Sequence, residues 1–284
     1  MRFNVQSELS YELKSPSTLI FGIQALSSAS QTVLEESLLI EPHVKYDEFV
    51  SVSGDSRFFR IVTSAEKTLK VSYRASVDTK PTVIDSSELD RVPVQQLDHA
   101  SLTLLFPSRY CQSDMLARLA WKKFGEIENA YERVVAIADW IYRNVDYESG
   151  STNAQTSAYD TVTQRAGVCR DFAHLGVALC RALNIPARYF AGYAYQLDPP
   201  DFHACFEAFV GGRWIVFDAT RLAPLNGLVR IGTGRDAADA AVVSIFGQVK
   251  STGMKVSCEV VGKDFVPLTA DKLAHKGVCL EPVP

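Results

Sequence analysis

The sequence predicts an α+β fold. An antiparallel β-sandwich-type domain is expected over residues 1–90, and an α+β core of helices and sheet with a C-terminal extension over residues 91–284. Three observations carry this expectation. Strand-like text dominates the first third. Helical periodicity becomes clear only near residue 129. A segment with helical spacing from Cys169 is then followed by two β-rich runs joined at Gly211-Gly212.

The strands of the first domain are read at Leu19–Ile23, Phe58–Val62 and Leu69–Val77, the last alternating apolar and polar with period two. A turn is signalled at Ser53-Gly54-Asp55-Ser56. Residues 79–97 contain Pro81 and Pro93 with little periodicity and read as a linker, and Ser101–Phe106 leads into the core. Tyr131, Val134, Val135, Ala138, Ile141, Tyr142 and Val145 form an amphipathic helix, with Asn129 and Glu132 as its capping pair. Residues 147–164 are polar and rich in turn formers, and read as a loop. After Cys169, apolar residues at Phe172, Leu175, Gly176, Leu179, Cys180 and Leu183 define one helix face, and Asn184-Ile185-Pro186 ends it. Ala187–Tyr195 reads as a strand running into the rim loop Asp198-Pro199-Pro200-Asp201. Arg235–Ala241 suggests a short helix and Val242–Phe246 a strand. Residues 266–284 show little pattern and are expected to be loosely ordered.

The chemistry concentrates around Cys169. A cysteine in the first turn of a helix meets free N–H groups and a partial positive charge, and both favour the thiolate over the thiol. A nucleophile needs a base, and the base needs an orienter. With Gly211-Gly212 as a two-residue turn, facing residues on the hairpin sum to 423. His203 then faces Thr220 and Cys205 faces Asp218, all on one side of the ribbon. His203 and Asp218 become diagonal neighbours, so the carboxylate can hold one imidazole nitrogen while the other serves the thiol.

The order Cys169…His203…Asp218, with Gly167-Val168-Cys169-Arg170-Asp171 opening a helix and Asp218-Ala219-Thr220 closing a strand, resembles the transglutaminase-like superfamily. Within it, the chain is similar to bacterial proteins of cysteine-protease type with an N-terminal β-domain. The resemblance covers most of the chain, including Pro107–Cys111, the helix around Trp140 and Gly234–Asp239. It implies a papain-like core in circularly rearranged order and acyl transfer through a thioester. It assigns Cys169 as nucleophile, His203 as base and Asp218 as orienting acid. One departure is Cys205, which stands where a tryptophan is usual two residues after the histidine.

Other residues receive structural readings. Cys180 repeats the inner helix face and reads as a buried apolar residue. His174 lies off the face of Cys169 and reads as a packing residue, and His43, His99 and His275 lack partners. The spacings C-x10-C and H-x-C of Cys169, Cys180, His203 and Cys205 do not match paired zinc-ligand spacing. No EF-type calcium loop, phosphate-cradling glycine loop or dinucleotide fingerprint is found, so no metal or cofactor is expected. For the second oxyanion donor, Tyr147, Gln155 and Gln164 are the candidates upstream of the nucleophile.

At 284 residues with 47% apolar content, the chain has enough apolar text for a sizeable core. Net charge is −4 without a basic block, which disfavours nucleic acid as a partner. Neither a signal-peptide core nor an apolar run of membrane-spanning length is seen, and the six cysteines are irregularly spaced. A cytoplasmic protein acting on a protein or peptide substrate is expected. The expected activity is cysteine-dependent acyl transfer on amide bonds, with hydrolysis favoured over cross-linking. A non-catalytic binding or scaffolding module is the alternative.

Overall fold

A computed structural model describes residues 1–273 and 275–281. The first third of the chain supplies strands β1 (Arg2–Leu13), β2 (Thr18–Phe21), β3 (Gln31–Glu41), β4 (Tyr46–Val50), β5 (Arg57–Val62), β6 (Thr68–Thr79) and β7 (Thr82–Asp85). Helices α1 (His99–Thr103), α2 (Ser113–Phe124) and α3 (Ala130–Asn144) follow. Next come β8 (Asp146–Tyr147), α4 (Ala158–Gln164), β9 (Ala166–Gly167) and α5 (Cys169–Ala182). The chain closes with β10 (Ala187–Ala194), β11 (His203–Val210), β12 (Arg213–Phe217), β13 (Leu228–Gly234), β14 (Val243–Phe246), β15 (Val249–Val261) and β16 (Lys276–Cys279).

Period-two patterning builds the first unit. On β1, Phe3, Val5, Ser7, Leu9, Tyr11 and Leu13 are buried, and on β6 so are Leu69, Val71, Tyr73, Ala75 and Val77. The two strands pair antiparallel in the sheet β15-β1-β6-β3, and a second sheet, β14-β2-β5-β4, contributes Leu19, Phe21, Phe59 and Ile61 to the same core. The α+β class and the N-terminal β-unit are as the sequence indicates.

The domain division at residue 90 needs correction in two places. Strands β14 and β15, far along the C-terminal part, complete the two sheets of the N-terminal unit by pairing with β2 and β1. Strand β7, within the residues expected to be a linker, instead joins the catalytic sheet β13-β10-β11-β12-β16-β7. Strands before Asp78 stay outside that sheet. The chain therefore crosses between units three times. Each crossing buries strand edges that would otherwise stay open.

Residues 266–281 also differ from expectation. Strand β16 runs inside the catalytic sheet between β12 and β7, with Gly277, Val278 and Cys279 buried; Ala274 and residues 282–284 lie outside the described residues. The polar stretch 147–164 contains α4, whose start is closed by Asp160 accepting from the Ser157 N–H at 2.9 Å. Residues 235–241 form turns rather than a helix. There, the Asp236 carboxylate accepts from the N–H groups of Tyr110 and Ala238, and Arg181 donates to the Arg235 carbonyl at 2.7 Å. These outside partners compete with helical pairing and win.

The helical core packs on the catalytic sheet. Phe172, Leu175, Leu179 and Leu183 of the α5 segment meet Tyr189, Phe206, Ile215 and Phe217. Gly176 lets the helix approach closely, since a Cβ there would lie 2.5 Å from the Phe206 ring. The expected capping pair of α3 forms, with Asn129 Oδ1 accepting from Glu132 N–H at 2.9 Å. The two units share one interface. Tyr193 of β10, Phe202, and Val229 and Ile231 of β13 enter the N-terminal core, and the Tyr193 hydroxyl donates to the Ile23 carbonyl at 2.7 Å. No helix among the described residues is long and apolar enough to cross a membrane.

Candidate active site

The hairpin forms as the two glycines dictate. Gly211 and Gly212 both take positive φ, 58° and 73°, the pattern of a type I′ turn matched to strand twist. A side chain at Gly211 would also meet the Glu88 carbonyl at 2.2 Å. Pairing runs Val210 to Arg213 through Phe206 to Phe217, each pair summing to 423. Beyond the last pair of the ladder, His203 Nε2 lies 2.9 Å from Asp218 Oδ2, both side chains being essentially fully buried.

Asp218 is itself held. Its Oδ1 accepts from the Thr220 N–H at 2.9 Å and the Thr220 hydroxyl at 2.6 Å, and the Ala223 N–H approaches Oδ2 at 3.3 Å. Burial works against a charged carboxylate here. The His203 ring and the Thr220 donors outweigh it and hold Asp218 below the usual carboxylate range. Burial likewise opposes a charged imidazole, but Asp218 and the neighbouring thiols keep His203 protonated well above its usual range. Its second nitrogen, Nδ1, is buried without a hydrogen-bond partner.

Helix α5 delivers Cys169. Val168 is extended, and its N–H donates to the Asp171 carboxylate at 2.9 Å, closing the first turn. Asp171 also accepts from the Thr152 hydroxyl at 2.7 Å, and Arg170 donates to the Asn153 carbonyl at 2.7 Å. The Arg-Asp pair after the cysteine thus fastens the preceding loop across the helix start. Gly167 is required because a Cβ there would press on Asp171 at 2.8 Å. The Cys169 thiol is partly exposed and lies 4.0 Å from the carbonyl of Phe202, the residue just before His203.

All three residues singled out from sequence converge on this point. Parallel pairing of β8 with β9 sets Tyr147 beside Gly167, two residues before Cys169. Burial and the nearby thiol raise the Tyr147 phenol above its usual range. Gln155 and Gln164 are exposed at loop and helix ends. Cys205, two residues along β11, is 1% exposed, and burial together with Asp218 pushes its thiol up to about 12. Asp201 borders the site with a carboxyl raised by burial. The sequence reading gave Asp201 only a rim position, because its influence on His203 depends on how the loop folds back.

His174 is the packing residue expected. It stacks between Tyr110 and Tyr189, and its Nε2 accepts from the Ala237 N–H at 3.1 Å. Cys180 is fully buried.

A helix-borne cysteine facing a histidine–aspartate pair on a hairpin, behind a β-rich N-terminal unit, defines a class. Residues 1–100 match the family described as bacterial transglutaminase, N-terminal domain, and residues 118–219 match the transglutaminase-like superfamily. The chain belongs to that superfamily, in the bacterial form that carries this N-terminal domain. It is similar to a proposed cysteine protease from Cytophaga hutchinsonii of solved structure, with 59% identity, 99% of this chain and 98% of that chain covered, and a TM-score of 0.97. An uncharacterised protein of Mycobacterium leprae is 25% identical over 280 residues, 91% of this chain and 98% of its own. One from Mycobacterium tuberculosis is 31% identical over 152 residues, 48% of each chain. These relationships support cysteine-based catalysis in general terms.

Proposed function

We propose that this protein is a cysteine-dependent hydrolase of amide or peptide bonds, working through a thioester on Cys169. The observation that carries the reading is the state of His203. Its Nε2 is held by Asp218, which leaves Nδ1 without a partner, while Cys169 at the start of α5 reaches the carbonyl of the adjoining Phe202. The Cys169 thiolate attacks the carbonyl carbon. The His203 imidazolium gives its proton to the leaving amine, and Asp218 fixes the tautomer and stabilises the charged ring. The Cys169 N–H is the first oxyanion donor. Among the three upstream candidates, Tyr147 is the one that the β8–β9 pairing brings to the start of α5, so its hydroxyl serves as the second.

Hydrolysis is favoured over amine transfer because the Cys169 and Tyr147 side of the site is open to solvent, and water reaches the thioester there. The substrate class is a protein or peptide. The six unpaired cysteines support a reducing compartment, and we assign the protein to the cytoplasm. The test is release of amine from a pooled set of peptide amides by the full chain, with and without an added primary amine. Turnover abolished by Cys169→Ala, with free acid as product, supports the reading. Turnover retained in Cys169→Ala, or no turnover by the parent on any amide, contradicts it. Conjugation of the added amine in place of free acid would replace hydrolysis by transamidation.

A further inference from the structure

The zinc argument from sequence considers only ligands close in the chain, and the fold brings others together. Cys205 follows His203 by two residues on β11, so the pleat returns both side chains to one face. Asp218 arrives from the other arm of the hairpin. One donor atom from each of His203, Cys205 and Asp218 lies within 4.8 Å of the other two, and all three residues are buried. The His203 ring also carries a buried nitrogen with no hydrogen-bond partner.

We propose that His203, Cys205 and Asp218 form a binding site for a thiophilic divalent cation of the zinc type, and that its occupation switches the enzyme off. The regulatory half rests on the catalytic reading above; the binding half does not. One nitrogen, one sulfur and one oxygen ligand with a fourth position open is a donor set that zinc accepts. Zinc–ligand bonds of about 2.0–2.3 Å require the three donors to draw together slightly from their present spacing. Charge also balances. The cation meets one carboxylate and one thiolate, so a buried ion is neutralised by its own ligands. Binding releases the Cys205 proton, and the proton of His203 where the ring is charged, into solvent. Thr220, donating twice to Asp218 Oδ1, holds the carboxylate in orientation as an outer partner of the metal. The partly exposed Cys169 marks the way in. A ring nitrogen committed to metal no longer carries a proton between Cys169 and a leaving group, so turnover stops without any change to the nucleophile.

The test is a Co2+ titration of the full-length, reduced chain, followed by near-ultraviolet sulfur-to-cobalt absorption, with Zn2+ as competitor. Parent and Cys169→Ser should both bind one ion per chain with the charge-transfer band. Cys205→Ser and Cys205→Ala should lose the band while keeping the parent's far-ultraviolet circular dichroism. Asp218→Asn, which removes an anionic ligand, should bind more weakly than the parent. No band in the parent, a band surviving in both Cys205 variants, or a band lost in Cys169→Ser would overturn the site. Zn2+ should inhibit the metal-free parent at the occupancy the titration measures; full turnover at saturating Zn2+ would overturn the switch. A parent inactive even when metal-free, yet showing the band, would leave the site standing and refute the catalytic reading instead.

Discussion

Replacing Asp218 by asparagine perturbs one atom of the site and has a calculable direction. The carboxylate accepts from four donors: Thr220 N–H and hydroxyl on one oxygen, His203 Nε2 and the Ala223 N–H on the other. An amide can satisfy only one side. Turning its oxygen toward Thr220 keeps the two short bonds, so its NH2 group faces His203. The ring must then accept at Nε2 and carry its proton on Nδ1, which is the reverse of the tautomer a thiol-activating base needs. The negative charge that stabilises the imidazolium is lost as well. We expect kcat/KM in Asp218→Asn to fall by about 10³–10⁴, equivalent to roughly 4–5.5 kcal/mol of barrier. Folding stability should fall by only about 1–3 kcal/mol, the scale of one buried charge-assisted hydrogen bond. The assay is amide turnover alongside nitrogen NMR of the imidazoles. In the parent, His203 should remain charged above the ordinary imidazole range, and in the variant it should not. Turnover within about tenfold of the parent, with the variant folded, would refute the reasoning.

Three further outcomes follow from other parts of the structure. Gly176→Ala places a methyl group 2.5 Å from the Phe206 ring; it should cost about 1–3 kcal/mol in denaturant unfolding and reduce turnover by tilting α5, and with it Cys169, away from His203. Tyr147→Phe should lower kcat more than it raises KM, because the phenol is proposed to act on the oxyanion, and an unchanged kcat would exclude that role. His174 is held neutral by burial, with the charges of Arg170 and Arg181 adding to the effect. Below an unfolded-state value of about 6.5, the unfolded chain takes a proton that the folded chain refuses. The His174 contribution should therefore fall by about 1.4 kcal/mol between pH 7.5 and 5.5, opposite in sign to that of His203, so the stability difference between the parent and His174→Gln should change by that amount in urea titrations at matched pH.

The parts of the fold legible in the sequence are those fixed by local chemistry. Gly211-Gly212 admits one tight turn, and that turn sets the register placing His203 against Asp218. The periodic run after Cys169 specifies a helix buried on the expected face, ended where the sequence predicts by Leu183 and Asn184. The missed features depend on distant partners. Strand β16 is four residues long and acquires meaning only when β12 and β7 pair on either side of it. Strand β15 is largely exposed and shows weak alternation, yet it pairs with β1 from the opposite end of the chain. Residues 235–241 carry helical preference, but Arg181, Tyr110 and the Arg235–Asp239 pair claim their polar groups. Cys205 was visible as a departure at its position. Its closeness to both His203 and Asp218 became evident only in three dimensions.

The central claim is that Cys169 carries the acyl group, and it can be measured directly. The full-length chain is incubated with an activated acyl ester, quenched in acid and analysed by intact mass and peptide mapping. The account predicts one acyl group per chain, on the peptide containing Cys169, removed by hydroxylamine, and formed far more slowly in His203→Ala. Acylation that persists in Cys169→Ala, maps to Cys205 or Cys258, or proceeds equally fast without His203 would contradict it.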